Sequence, residues 1–287
     1  MKRVTLSAAK ALVSAVAATV AARNVGAQRP DSASVARFVA QARATTARFQ
    51  DINVAIAENY VRIGPDFPAM GEHWVRGESV MRSESTPMPS ILTYATIDGR
   101  RTFTGVVYTL ILRAGEKAPD MPPSAEWHDH VGTIDEESLL LGHTHLGGST
   151  DGPRLAVMHA WVWLPNPAGT FATDNWALPF ARLGIPAPAN ASPRAARAVA
   201  LPTSVPYFAR LFAAVGQLDD RESDAVLDAL EHSRGIVQGW LEARNPADPV
   251  SAADLARLEK IWTDLADAIT HSVRPASAER LARVLDP

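Results

Sequence analysis

The chain has 287 residues, a formal net charge of −3, 47% hydrophobic residues and no cysteine. Disulfides and thiolate-built zinc or iron sites are therefore excluded, and the mildly acidic balance argues against nucleic acid or anionic lipid as a partner. The length suffices for one large domain or two modest ones.

The first 27 residues read as a cleavable export signal. Lys2 and Arg3 give a positive start, Ala11 to Ala22 is an uncharged small or apolar run, and Val25-Gly26-Ala27 puts small residues at the cleavage positions. The expected mature chain begins at Gln28. Losing Lys2, Arg3, Lys10 and Arg23 with no acid would move the formal charge from −3 to −7. The apolar run falls short of the ~20 residues a membrane span needs. No later stretch reads as long and apolar enough, so a periplasmic or secreted protein with no span in its mature chain is expected.

Residues 31–62 carry helical spacing, with Val35, Phe38, Val39, Ala42 and Phe49 on one face and Asp51 placed to cap a second piece. Gly64-Pro65 is expected to stop the helix. Ile91–Ile97 and Thr102–Leu112 are rich in β-branched and aromatic residues, and Asp98-Gly99 between them is a hairpin signal. Arg154–Leu164 is a third strand candidate. Prolines and alanines over 185–203 read as a linker. Helices follow over 204–287, with caps expected at Ser204, at Asp219 or Asp220, and at Ser251. Segregated strands and helices predict an α+β fold, with a mostly antiparallel central sheet, an N-terminal helical segment and C-terminal helices. The expected organisation is a signal peptide over 1–27, a helix plus β-rich His-containing domain over 28–184, the linker, and a helical C-terminal region.

Six of the eight histidines fall between residues 73 and 159. His128 and His130, and His143 and His145, form His-x-His pairs, and an extended backbone points both rings of such a pair to one side. Imidazoles so placed suit zinc or copper. Thr133 to Gly142 reads as a short capped helix between the pairs, so the pairs share one site only if the chain folds back. Period-two alternation puts His159 in a row with Leu155, Val157, Trp161 and Trp163, where its ring nitrogens need partners. Metal candidates are His73, His128, His130, His159, His143 and His145. Glu72 and Asp129, each beside a histidine, are candidates for supporting an imidazole or acting as a base. Glu126, Asp135, Glu136 and Glu137 are nearby acids, of which Glu136 and Glu137 suit a helix first turn.

Two stretches, Met70-Gly71-Glu72-His73-Trp74 and His159-Ala160-Trp161-Val162-Trp163-Leu164-Pro165-Asn166-Pro167-Ala168-Gly169-Thr170-Phe171, resemble a group of exported bacterial proteins of uncharacterised function. The resemblance covers roughly residues 50–184. It implies that His73 and His159 are a matched pair and supplies no chemistry.

Three functions remain open on these residues. The first is a cell-envelope protein that binds a divalent transition metal, zinc or copper, through the histidine cluster, with a metal-dependent hydrolase or oxidoreductase as its catalytic form. The second is a non-enzymatic module that holds a small molecule in a cleft lined by Trp74, Trp127, Trp161, Trp163 and Trp176. The third is a structural or interaction protein whose partner the sequence does not name.

Overall fold

The computed structural model describes residues 32–81, 88–119, 125–130 and 153–286. The expected export signal, His143, His145 and the Thr133–Gly142 stretch lie outside them. Among the described residues there are eight helices and one six-stranded sheet. The fold is α+β.

The strands are β1 (Val61–Phe67), β2 (Gly71–Val75), β3 (Ile91–Ile97), β4 (Arg100–Leu112), β5 (Trp127–His130) and β6 (Arg154–Ala160). They lie in the order β1-β2-β3-β4-β6-β5, and every neighbouring pair is antiparallel. The β3–β4 hairpin turns at Asp98 and Gly99, which have φ of 50° and 69°. Two successive positive φ angles match the twist of the strands, which explains the Asp-Gly signal. Gly64-Pro65 lies inside β1 at a register shift rather than ending a helix. Proline is tolerated there because β1 is an edge strand.

Alternation along the strands gives the sheet two unlike faces. One carries Leu92, Tyr94, Phe103, Val106, Met158 and Ala160, all at most 2% exposed. Helix α1 (Ser32–Thr46), the 3-10 turn Ala47–Gln50 and α2 (Ile52–Ala57) cover it, adding Ala42, Phe49 and Ala55 to the same core. The helical segment is thus broken into three pieces, and Asp51 caps the last through the Asn53 amide at 2.9 Å. The opposite face carries His73, Thr93, Gly105, Val107, Val157 and His159, with His128 and His130 in register with Val157 and Leu155.

Beyond β6, the Asn166–Gly169 turn closes with a Gly169 N–H to Asn166 carbonyl bond of 3.0 Å and returns Phe171 to the α1-side core. Helix α3 (Gly77–Met81) follows β2, and α4 (Leu178–Arg182) leads to the bundle. The bundle is α5 (Pro193–Gly216), α6 (Asp220–Glu242), α7 (Ala252–Ser272) and α8 (Pro275–Leu285) around a separate core. Asp219 and Ser251 each head a capping box, closed by Glu222 and Asp254.

The linker expectation needs correction at 193–203. Ser192, not Ser204, caps α5, with Pro193 in its first turn. Ala195, Ala196 and Ala198–Leu201 are buried core, and Ser204 is buried in mid-helix. Small side chains let α5 pack closely inside the bundle, so the alanine run belongs to a core helix that contains Pro202 and Pro206. By length and composition alone α5 is long and apolar enough to cross a membrane. That departs from the sequence reading that no later stretch could. Here α5 lies within the bundle core.

Candidate functional site

Four histidines come together on the second sheet face. The His73 and His159 ring centroids are 5.5 Å apart, those of His159 and His128 5.7 Å, and those of His128 and His130 5.3 Å. Three strand steps of about 4.8 Å separate β2 from β6, roughly 14 Å on a flat sheet. A ring separation of 5.5 Å across that span means that the sheet curls toward the histidines. Gly105 sits on β4 between them, next to a β3–β4 register shift. A Cβ at Gly105 would lie 2.7 Å from the Ala160 carbonyl oxygen and 3.1 Å from Thr93 Oγ1. A side chain at position 105 would therefore clash with the backbone of β6.

Each ring is placed by its strand. Gly71, at φ 83°, turns the chain into β2, and a Cβ there would meet the Tyr94 carbonyl at 2.3 Å. His73 lies two residues further on, in register with Thr93. His159 pairs with Val107 near the end of β6, which stops at Ala160. His128 and His130 share a face of β5 as the His-x-His spacing requires. Phe67 packs edge-on against His73 at 5.3 Å between centroids, and Tyr207 of α5 packs on Phe67 at 5.9 Å. The helical bundle thus reaches the back of the site through one phenyl ring.

His73 and His159 are buried, at 6% and 2% exposure. Burial pushes His73 down to about 4, opposed by the nearby Asp66 charge. His159 is held well below the ordinary histidine range, first by burial and then by repulsion from His73, His128 and His130. Both are neutral at pH 7, the form in which imidazole can ligate a metal.

The acids near the site are turned elsewhere. Glu72 lies on the α1 side, where Arg62 contacts it at 3.0 Å, Arg101 at 3.2 Å and the Trp74 indole N–H at 3.1 Å. Asp129, opposite in direction to His128 and His130, pairs with Arg154 at 2.6 Å. Adjacent residues on a strand face opposite ways, so neither carboxylate shares the histidine face. Glu126 is exposed at the start of β5.

The tryptophans do not line one cleft. Trp74, Trp127 and Trp163 pack on the α1-side core, Trp161 on a small cluster with Ala95 and Leu178, and Trp176 on the bundle. Trp163 leaves the His159 row because β6 ends at Ala160, and its indole N–H reaches Thr46 Oγ1 at 3.3 Å.

No protein-family model, curated protein or solved structure matches this chain. Function therefore rests on the geometry. Two imidazole ligands at 2.0–2.1 Å from one tetrahedral ion bring their ring centres to about 5 Å of each other. Each successive histidine pair here lies near that spacing. Among the described residues, however, no group of three or more His, Asp or Glu side chains is drawn up to hold a metal ion as it stands. The four rings form a string of neighbours rather than a closed cage.

Sequence reasoning missed Phe67, Tyr207 and the Gly105 bend. Gly105 left a trace, since a glycine inside a Thr- and Val-rich strand marks a kink or close approach. Nothing in the sequence pointed Phe67 or Tyr207 at His73.

Proposed function

We propose that this is an exported protein that binds a divalent transition metal, zinc or copper, through His73, His159, His128 and His130. The observation that carries this is the run of four imidazoles, each 5.3–5.7 Å from the next, on a sheet face from which Glu72 and Asp129 point away. An all-nitrogen set favours zinc or copper over magnesium, calcium or manganese, which prefer oxygen. Closing the string onto one ion requires side-chain rotation at the partly exposed His128 and His130, while His73 and His159 stay fixed by packing. His143 and His145, also candidates from the sequence, would add two further imidazoles of the same kind. With an open position, a metal bound here would acidify a water molecule for hydrolysis; with four protein ligands, the role would be binding or storage.

The test is metal analysis of untagged protein purified without nickel resin. About one zinc or copper per chain is expected, with loss in His159→Ala while the α-helical circular dichroism persists. Substoichiometric metal that is unchanged in His159→Ala would overturn the proposal.

A further inference from the structure

We propose that the junction between the sheet and the helical bundle is a second site, independent of any metal, where Asp174 and Arg197 receive a small zwitterion, a free amino acid, by its ammonium and its carboxylate. The two charged groups come from opposite sides of the junction. Asp174 lies between β6 and α4, and its backbone is pinned to the sheet side. The Asn166 side-chain amide donates to the Asp174 carbonyl at 2.9 Å, and the next backbone N–H, that of Asn175, donates to the Ala69 carbonyl at 2.9 Å. Arg197 belongs to α5. Its Nη1 donates to the Val284 carbonyl of α8, and its guanidinium lies 5.6 Å from the centre of the Trp262 ring of α7.

Neither group has a counter-charge in contact. Among the described residues the Asp174 carboxylate makes no hydrogen bond and no ion pair, and the Arg197 guanidinium donates through Nη1 alone. The two still interact across the gap. Burial pushes the Asp174 carboxyl up to about 6 against the pull of Arg197, and burial lowers Arg197 against the pull of Asp174 and Tyr207. Tyr207, further along α5, is raised by burial and feels both charges. Yet all three side chains are only half-buried. Groups that keep exposed surface while the surrounding protein strips their hydration line a recess rather than a sealed core. A desolvated carboxylate and a desolvated guanidinium that interact without touching leave unsatisfied hydrogen-bonding capacity on both sides of a gap. The open Nε–Nη2 edge of Arg197 matches the two oxygens of a carboxylate, and Asp174 accepts from an ammonium. A lone anion would leave Asp174 unpaired, and a lone cation would leave Arg197 unpaired. The pair therefore selects a molecule that carries both charges.

The test is thermal denaturation of the full mature chain with EDTA present, so that no amino acid acts through a bound metal. The common amino acids, β-alanine and γ-aminobutyrate are added singly, and the strongest responder is titrated by calorimetry. A saturable rise in Tm is expected, with one molecule bound per chain. Affinity should fall by about tenfold to a hundredfold in Asp174→Asn and in Arg197→Lys, the loss that removing one charge-assisted hydrogen bond implies. The responder's methyl ester, which lacks the carboxylate, and its N-acetyl form, which lacks the ammonium, should both fail to raise Tm. No response of the wild type to any of these compounds would overturn the proposal and assign bridging water to the gap. Equal binding of the ester or the N-acetyl form would overturn it too, as would an affinity that survives Asp174→Asn. Should a variant lose its α-helical circular dichroism, the ester and N-acetyl comparison, made on wild type alone, decides the question.

Discussion

The two faces of the central sheet are built from alternate residues of the same strands, yet they do different work. On the α1 side, Tyr94, Phe103 and Met158 are sealed under helix, and the tyrosine hydroxyl donates to the Phe49 carbonyl at 2.7 Å. On the other side the same strands present Thr93, Gly105 and His159. The α1 side holds the larger apolar core, whereas the histidine face mixes its rings with smaller apolar clusters, one of them Ile91, Val107 and Val157. The lesson is that the histidines are affordable because the opposite face is so fully packed.

The sharpest way to break this contrast is Phe103→Ala. Removing a ring that is 1% exposed from the α1-side core should cost about 3–5 kcal/mol in urea denaturation, through lost burial and the cavity left behind. Metal affinity of the fraction that remains folded should be unchanged.

The histidine face should instead reveal itself through pH. With His73 at about 4 in the fold and 6.5 when unfolded, the unfolded chain binds the extra proton between those values. The stability that neutral His73 contributes is present above pH 6.5 and is lost as pH falls to 4, by about 3 kcal/mol. Denaturation of metal-free wild type and His73→Gln across that range should therefore converge as the pH drops. Parallel curves would show that His73 is not held neutral by the fold.

Gly105→Ala probes the bend that joins the faces. The new methyl would meet the Ala160 carbonyl at 2.7 Å, so a loss of about 1–3 kcal/mol is expected. Metal affinity should fall with it, since flattening β4 moves His73 away from His159. Glu72→Gln should do least. Its arginine partners are about 40% exposed, so the stability change should be about 1 kcal/mol or less, with metal stoichiometry intact by mass spectrometry.

Local signals carried much of this architecture. The Asp98-Gly99 turn, the caps at Asp51, Asp219 and Ser251, and the period-two rows around His159 were legible because each depends on a few neighbouring residues. The alanine- and proline-rich start of α5 was not, because its helical state depends on burial against α6 and α7, which composition does not reveal. In the site, the common direction of His128 and His130 follows from strand geometry alone. The same alternation, applied to Glu72 and Asp129, turns both acids away from the histidines. Strand periodicity could not supply the approach of the His73 ring to the His159 ring across the sheet, which only the resemblance implied, since strand order and curvature are set by long-range pairing. The Phe67–Tyr207 contact was hidden for the same reason.

The most direct measurement is X-ray absorption at the zinc or copper edge on metal-loaded, untagged protein. Three or four nitrogen ligands at about 2.0–2.1 Å, with the outer-shell scattering of imidazole rings, are expected, falling by one ring in His159→Ala. An oxygen-only shell without imidazole scattering, or a spectrum unchanged in His159→Ala, would contradict a metal centre built on this histidine face.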